Sequence, residues 1–179
     1  MERFLERMTD RLVFVSRYEA DGYGQKVGRP RVPSSLVPNG LRPDEFEPVA
    51  HAPDAADFLY IGMMRDLKGP DLFLEALAIL RDRQGRALTA HFVGDGPDKP
   101  RYEAMIAEMG LKDQVGVHDA MPARRAFAMA RVVVVPSRAE SMPYIVLEAI
   151  AAGMPIVATA VGGIPEIFEG EEAMLVEPG

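Results

Sequence analysis

Two glutamates, Glu140 and Glu148, stand eight residues apart in the segment Ser137-Arg138-Ala139-Glu140-Ser141-Met142-Pro143-Tyr144-Ile145-Val146-Leu147-Glu148. A carboxylate can accept two hydrogen bonds at once, which suits it to sugar hydroxyls. Ser141 or Pro143 marks a helix start here, leaving the N–H groups of Tyr144 and Ile145 free to meet a phosphate. Read alone, Glu140 would equally serve the positive end of that helix, and Glu148 an exposed helix face. A basic loop, Met63-Met64-Arg65-Asp66-Leu67-Lys68-Gly69, runs into another helix. Arg65 and Lys68 could clamp an anion there; taken alone, they fit two solvated surface charges as well. Gly94-Asp95-Gly96-Pro97 and Ala160-Val161-Gly162-Gly163 permit close backbone approach, beside a ligand or in an ordinary turn. Glu166 is expected to serve the helix start that follows the second turn rather than chemistry.

These residues all follow short apolar runs. Leu12–Ser16, Asp57–Gly62, Thr89–Gly94, Gln114–His118, Val132–Pro136, Pro155–Thr159 and Ala173–Val176 read as strands. Most are continuous rather than alternating, as in a sheet covered on both faces. Helices are expected at Pro70–Arg83, with Phe73, Leu77 and Leu80 on one face, and at Arg101–Met109, Ala123–Ala130, Ile145–Ala152 and Ile164–Glu169. This alternation predicts an α/β fold, a Rossmann-like, doubly wound parallel sheet. Ligands in such sheets bind beyond the carboxyl ends of the strands, where the loops above lie. Gly28–Pro53 holds six prolines and the turn signal Asn39-Gly40, and reads as a linker between Met1–Val27 and the main body from Asp54.

Composition narrows the function. The 179 residues suit one sizeable core, 48% of them being apolar, and the formal charge is −7. Such acidity argues against nucleic acid or a broad anionic membrane surface as partner. With no Cys and three His, thiolate chemistry is excluded and a His-rich metal cage is disfavoured. No stretch approaches the ~20 apolar residues of a membrane span, and Met1-Glu2-Arg3-Phe4 does not open a signal peptide. A soluble cytoplasmic domain is the expectation, with peripheral attachment of a full-length protein to an inner membrane left open.

Taken in order, VPNGLRPDEFEP, FLYIGMMRDLKGPDLFLEAL, HFVGDGP and VVVPSRAESMPYIVLEAIAAGMPIVATAVGGIPEI resemble the donor-binding domain of the group 1 glycosyltransferases. That large retaining family has the GT-B fold. The similarity covers roughly residues 36–179, and its most specific part is E-x7-E followed by A-x-G-x-P-[IV]-[VI]-A-[TS]-x-x-G-G-x-P-E. The resemblance implies that Lys68, with Arg65, holds a donor diphosphate, and that Glu140 lies against the transferred sugar. It implies further that Glu148 binds the ribose, that the N–H groups of Tyr144 and Ile145 face the distal phosphate, and that Val117–Met121, including His118, lines the base. Gly62, Ser141, Met142 and Pro143 belong to the same expected donor site. Met63 stands where many members carry Arg, Pro143 stands where a Gly is usual, and no His matches the acceptor-side histidine.

The expected reaction is transfer of a hexose from a nucleoside-diphosphate sugar with retention at the anomeric carbon. It needs no cofactor beyond that donor, and no metal, since the chain has no Asp-x-Asp. The acceptor, a sugar, lipid or polysaccharide, would meet the donor in a cleft against a second domain. Residues 1–38 are expected to be the end of that acceptor-side domain. Residues 39–179 are expected to be the donor domain, truncated at its end, with self-association through the exposed face left open. A nucleotide-sugar binding module without activity of its own is the competing reading. A dinucleotide-dependent oxidoreductase fits poorly, because Gly94-Asp95-Gly96 is followed by Lys99 where the third glycine should stand. A non-hydrolysing sugar epimerase is a weaker match still.

Overall fold

The computed structural model describes residues 5–85 and 88–178. Met1–Phe4, and with them the start of the expected 1–38 segment, lie outside the described residues, as does Gly179. Among the described residues, seven strands form two parallel sheets. β1 (Leu12–Phe14) pairs with β2 (Ser34–Leu36). The main sheet holds β3 (Ala56–Ile61), β4 (Ala90–Val93), β5 (Val115–His118), β6 (Ala130–Val135) and β7 (Ile156–Ala158), in the order β5-β4-β3-β6-β7. Within this sheet the chain starts in the middle at β3, winds out to β5, then crosses back to β6 beside β3 and winds out to β7.

The apolar strands sit between two helical layers. On β3, Leu59 and Tyr60 point to opposite faces, and both are buried. Leu59 joins Phe127, Val133, Val146 and Ile164 in one core; Tyr60 joins Phe73, Phe92, Tyr102 and Ile106 in the other. Burial on both faces is why these strands lack polar alternation. The helices are α1 (Arg17–Lys26), α2 (Pro70–Gln84), α3 (Lys99–Glu108), α4 (Ala123–Phe127), α5 (Tyr144–Ala151) and α6 (Ile164–Ile167). Phe73 on α2 stacks on Phe92, which stacks on Tyr60, with ring centroids 5.2 Å apart in each pair. Among the described residues no helix is long and apolar enough to cross a membrane.

Several expectations are corrected. The proline-rich segment is more than a linker, because it contributes β2 and a 3-10 turn at Pro43–Phe46. The strand expected at Ala173–Val176 is replaced by a 3-10 turn at Glu172–Met174. Turning there leaves only Val176 to bridge Thr159. The helix expected through Ala130 stops at Phe127, because Ala130 already pairs with Ala56 in the sheet.

Candidate functional site

The order of the sheet reverses between β3 and β6, so the loops after these two strands diverge and leave a crevice. A cavity of about 410 Å3 fills it. Its floor is Tyr60, Ile61 and Gly62 at the end of β3 and Val134 to Ser137 at the end of β6; its rim carries Lys68, Glu140 and the start of α5.

Lys68 reaches the cavity from the 3-10 turn Asp66–Lys68. It does not open α2 as the sequence suggests. Gly69, left-handed at φ 65°, intervenes, and a Cβ there would lie 2.1 Å from the Pro136 carbonyl oxygen. The close approach brings the two loops together. Lys68 Nζ donates to both carboxylate oxygens of Glu140 at 2.7 Å. The Ser137 hydroxyl donates to Glu140 Oε1, also at 2.7 Å. The Glu140 side chain is only 7% exposed, so this acid is fixed by a cation and a hydroxyl.

The frame behind this pair is also polar. Arg138 grips Asp71 with two hydrogen bonds of 2.8 and 2.7 Å, and donates to the Asp66 carbonyl at 2.7 Å. The Arg138 N–H donates to the Leu67 carbonyl at 2.9 Å. These bonds hold the Asp71 carboxyl below the usual carboxylate range, against the opposing effect of burial. The Tyr60 hydroxyl donates to the Met63 carbonyl at 2.8 Å and fixes the loop after β3. Burial first, then Tyr102, Glu140 and Asp71, pushes its acidity out of reach.

Pro143 is the residue before α5, so the N–H groups of Tyr144 and Ile145 begin the helix without intrahelical partners. Both residues line the cavity, as do Pro143 and Glu148. Burial, then the nearby Glu45, raises the Glu148 pKa, while Arg42 opposes them. The cavity therefore offers one ammonium, one helix N-terminus and two carboxylates.

Of the residues singled out in the sequence, Gly62, Lys68, Glu140, Pro143, Tyr144, Ile145 and Glu148 converge here. Four others lie elsewhere. The Arg65 side chain is exposed and outside the lining. Met142 is buried, and its carbonyl accepts from Asn39 Nδ2 at 2.7 Å. Ser141 faces a separate cavity beside α1. His118 shares a 2.9 Å hydrogen bond with His91 across β5 and β4. Its neighbours Ala120 and Met121 do line a second pocket of about 240 Å3, which adjoins the first along Ile61, Gly62, Met63 and Met121.

Both glycine turns approach protein rather than open space. A Cβ on Gly94 would lie 1.9 Å from the Gly62 carbonyl oxygen, and one on Gly162 would lie 1.7 Å from that of Glu140. Sequence reasoning overlooked Ser137, whose signal is a hydroxyl three residues before the buried acid. It also overlooked the Arg138–Asp71 pair, which joins positions 67 residues apart.

The cavity at the switch point of the doubly wound sheet is lined by a lysine, a helix start and two carboxylates. Residues 55–179 match the family described as glycosyl transferases group 1, and the chain belongs to it. It is 37% identical to a D-inositol 3-phosphate glycosyltransferase of Geodermatophilus obscurus, over 94% of this chain and 42% of that protein. It is 33% identical to the alpha-D-kanosaminyltransferase of Streptomyces kanamyceticus, over 67% of this chain and 32% of that protein. The chain thus spans less than half the length of these relatives. Its fold matches Anabaena HepE in complex with UDP and glucose, with a TM-score of 0.83, 20% identity, and coverage of 99% of this chain and 52% of that one. The sucrose-phosphate synthase of Thermosynechococcus elongatus superposes with a TM-score of 0.82 at 26% identity, over 99% of this chain and 47% of that one. These neighbours are GT-B glycosyltransferases.

Proposed function

We propose that this chain binds the donor of a retaining, metal-independent hexosyl transfer from a nucleoside-diphosphate sugar to an acceptor hydroxyl. The observation that carries the reading is the meeting of Lys68 and Glu140 in the cavity that α5 and Glu148 also line. Breaking the bond between the anomeric carbon and the phosphate oxygen leaves an electron pair on the diphosphate. Lys68 and the N–H groups of Tyr144 and Ile145 are fixed donors for that growing charge, which stabilises it without reorganisation. Glu140 would face the sugar, and Glu148 would accept the ribose hydroxyls. The adjoining pocket beside Ala120 and Met121 has room for the base. The UDP and glucose held by HepE, a protein of the same fold, support this choice of ligand.

Titration calorimetry of the chain with UDP-, GDP- and ADP-sugars, paired with a turnover assay, tests the proposal. Tighter binding of one nucleotide sugar than of its nucleoside is expected. Indifference to the diphosphate would refute it. Binding without any transfer would favour a binding module over a self-sufficient enzyme.

A further inference from the structure

Glu166 caps a helix that is not its own. Its Oε2 and Oε1 accept the backbone N–H groups of Arg17 and Tyr18, each at 2.8 Å, across a sequence separation of about one hundred and fifty residues. The next two N–H groups of α1 are met locally. Glu19 donates to Ser16 Oγ at 3.1 Å, and Ala20 donates to the Ser16 carbonyl at 3.2 Å. The orphan donors of Arg17, Tyr18 and Glu19 are therefore satisfied, two of them by an acid from the main sheet's side of the molecule, and Ala20 makes the first ordinary helical bond. No residue of α1 is fully buried, so its placement leans on this turn. Arg17 adds ion pairs to Glu166 at 3.5 Å and Glu169 at 3.4 Å.

The residues just before Glu166 touch the site. Gly162 lies under the Glu140 carbonyl, and Gly163 lies under the Ser141 carbonyl, where a Cβ would sit 1.9 Å from the oxygen. On the same side, a Gly163 Cβ would meet Ser16 Cβ at 3.0 Å. Ser16 is fully buried and is the residue that begins α1. Ser141 and α1 also share the lining of a cavity of about 550 Å3. The segment 162–166 is thus clamped between the start of α1 and the backbone of the acid that pairs with Lys68.

We infer that Glu166 is a positioning residue that couples the β1–α1–β2 unit to Glu140. Its carboxylate fixes α1, α1 and Ser16 close over Gly163, and the glycine pair sets the height of the Glu140–Ser141 backbone in the cavity. Loss of the carboxylate would loosen α1 and the Glu140 loop together, while Lys68 and α5 keep their own supports.

Hydrogen exchange and calorimetry on the chain, wild type against Glu166→Ala and Glu166→Gln, test this. In Glu166→Ala the amides of residues 17–18 and 140–142 should exchange about tenfold faster, the usual loss for a helix cap, with β3 and β4 unchanged. Glu166→Gln keeps one acceptor oxygen and should recover part of the protection at both places. The preference for UDP-glucose over UDP should fall several-fold in Glu166→Ala, with UDP affinity unchanged. Faster exchange in α1 with none at 140–142 would overturn the coupling. Acceleration spread through β3 and β4 would also overturn it, by making Glu166 a general stabiliser. The calorimetric arm rests on the donor-site reading, whereas the exchange arm does not. If the wild-type chain bound no nucleotide sugar, that reading would fail and exchange alone would decide this one.

Discussion

Arg138 and Asp71 meet in a two-pronged pair, 2.8 and 2.7 Å long, that ties the loop bearing Glu140 to the helix that follows Lys68. Asp71 is 12% exposed and Arg138 34%, so neither charge is fully solvated. Replacing Asp71 by Ala strands a half-buried guanidinium and should cost about 1–3 kcal/mol in denaturant unfolding. Because the Asp71 pKa is depressed in the folded state, its contribution is complete above the ordinary carboxylate value. It should fade as the pH falls through the depressed value. An Asp71→Ala variant whose deficit did not shrink in acid would contradict the pairing.

Lys68→Ala should weaken a nucleoside diphosphate by about 1–3 kcal/mol, the range for a hydrogen bond from a charged group, and leave the bare nucleoside untouched. Titration calorimetry with both ligands measures the difference. Equal losses would remove Lys68 from the phosphate role.

Glu148 supplies a pH dependence. Burial and Glu45 raise its pKa, so on acidification it protonates earlier than an ordinary carboxylate. A protonated carboxyl accepts fewer hydroxyl hydrogen bonds, so affinity for a nucleoside diphosphate should fall with acidification, starting above the usual carboxylate range. Glu148→Gln should flatten that profile while weakening binding at neutral pH. An unchanged slope in this variant would place the titrating group elsewhere.

Gly69→Ala tests the contact between the two loops. Its φ of 65° is costly for alanine, and the new Cβ would press on the Pro136 carbonyl. A loss of at least about 2 kcal/mol is expected from strain and steric displacement together. Gly85→Ala is the control. Gly85 has a φ of 60° but nothing within 4 Å of the added Cβ, so only the backbone term of about 1 kcal/mol should appear. Similar losses in the two variants would argue against close contact at Pro136.

How far the sequence foretold this arrangement depended on the range of the interaction. Strands such as Val132–Val135 announce themselves because burial on both faces imposes an unbroken apolar run. The acids of E-x7-E stand out through the family resemblance; read alone, Glu140 suits a helix start and Glu148 an exposed helix face equally well. β2 was hidden, since Ser34–Leu36 is short, half polar and flanked by prolines. The partners of Glu166, Arg17 and Tyr18, lie at the far end of the chain, so its sequence neighbourhood points only to the helix it stands in. Arg65 and Lys68 are two cations of one loop, and residue type alone does not tell which of them faces the cavity. Three residues of turn separate the directions of their side chains, and spacing does not encode that rotation.

Lys68 and Glu140 are 72 residues apart, on opposite sides of the divide in the sheet. The run from β3 to β5 can zip together from neighbours in sequence. β6 pairs with β3 only after the chain has crossed β4 and β5, a long-range closure of the kind that slows folding. The cavity therefore comes into being only at that closing step. A chain with only β3, β4 and β5 paired would lack the β6 wall of the cavity and, on the proposed donor reading, could not hold a diphosphate. Recovery of ligand binding during refolding would accordingly time the arrival of β6, and ligand present at that moment would stabilise the finished sheet without helping its first half to form.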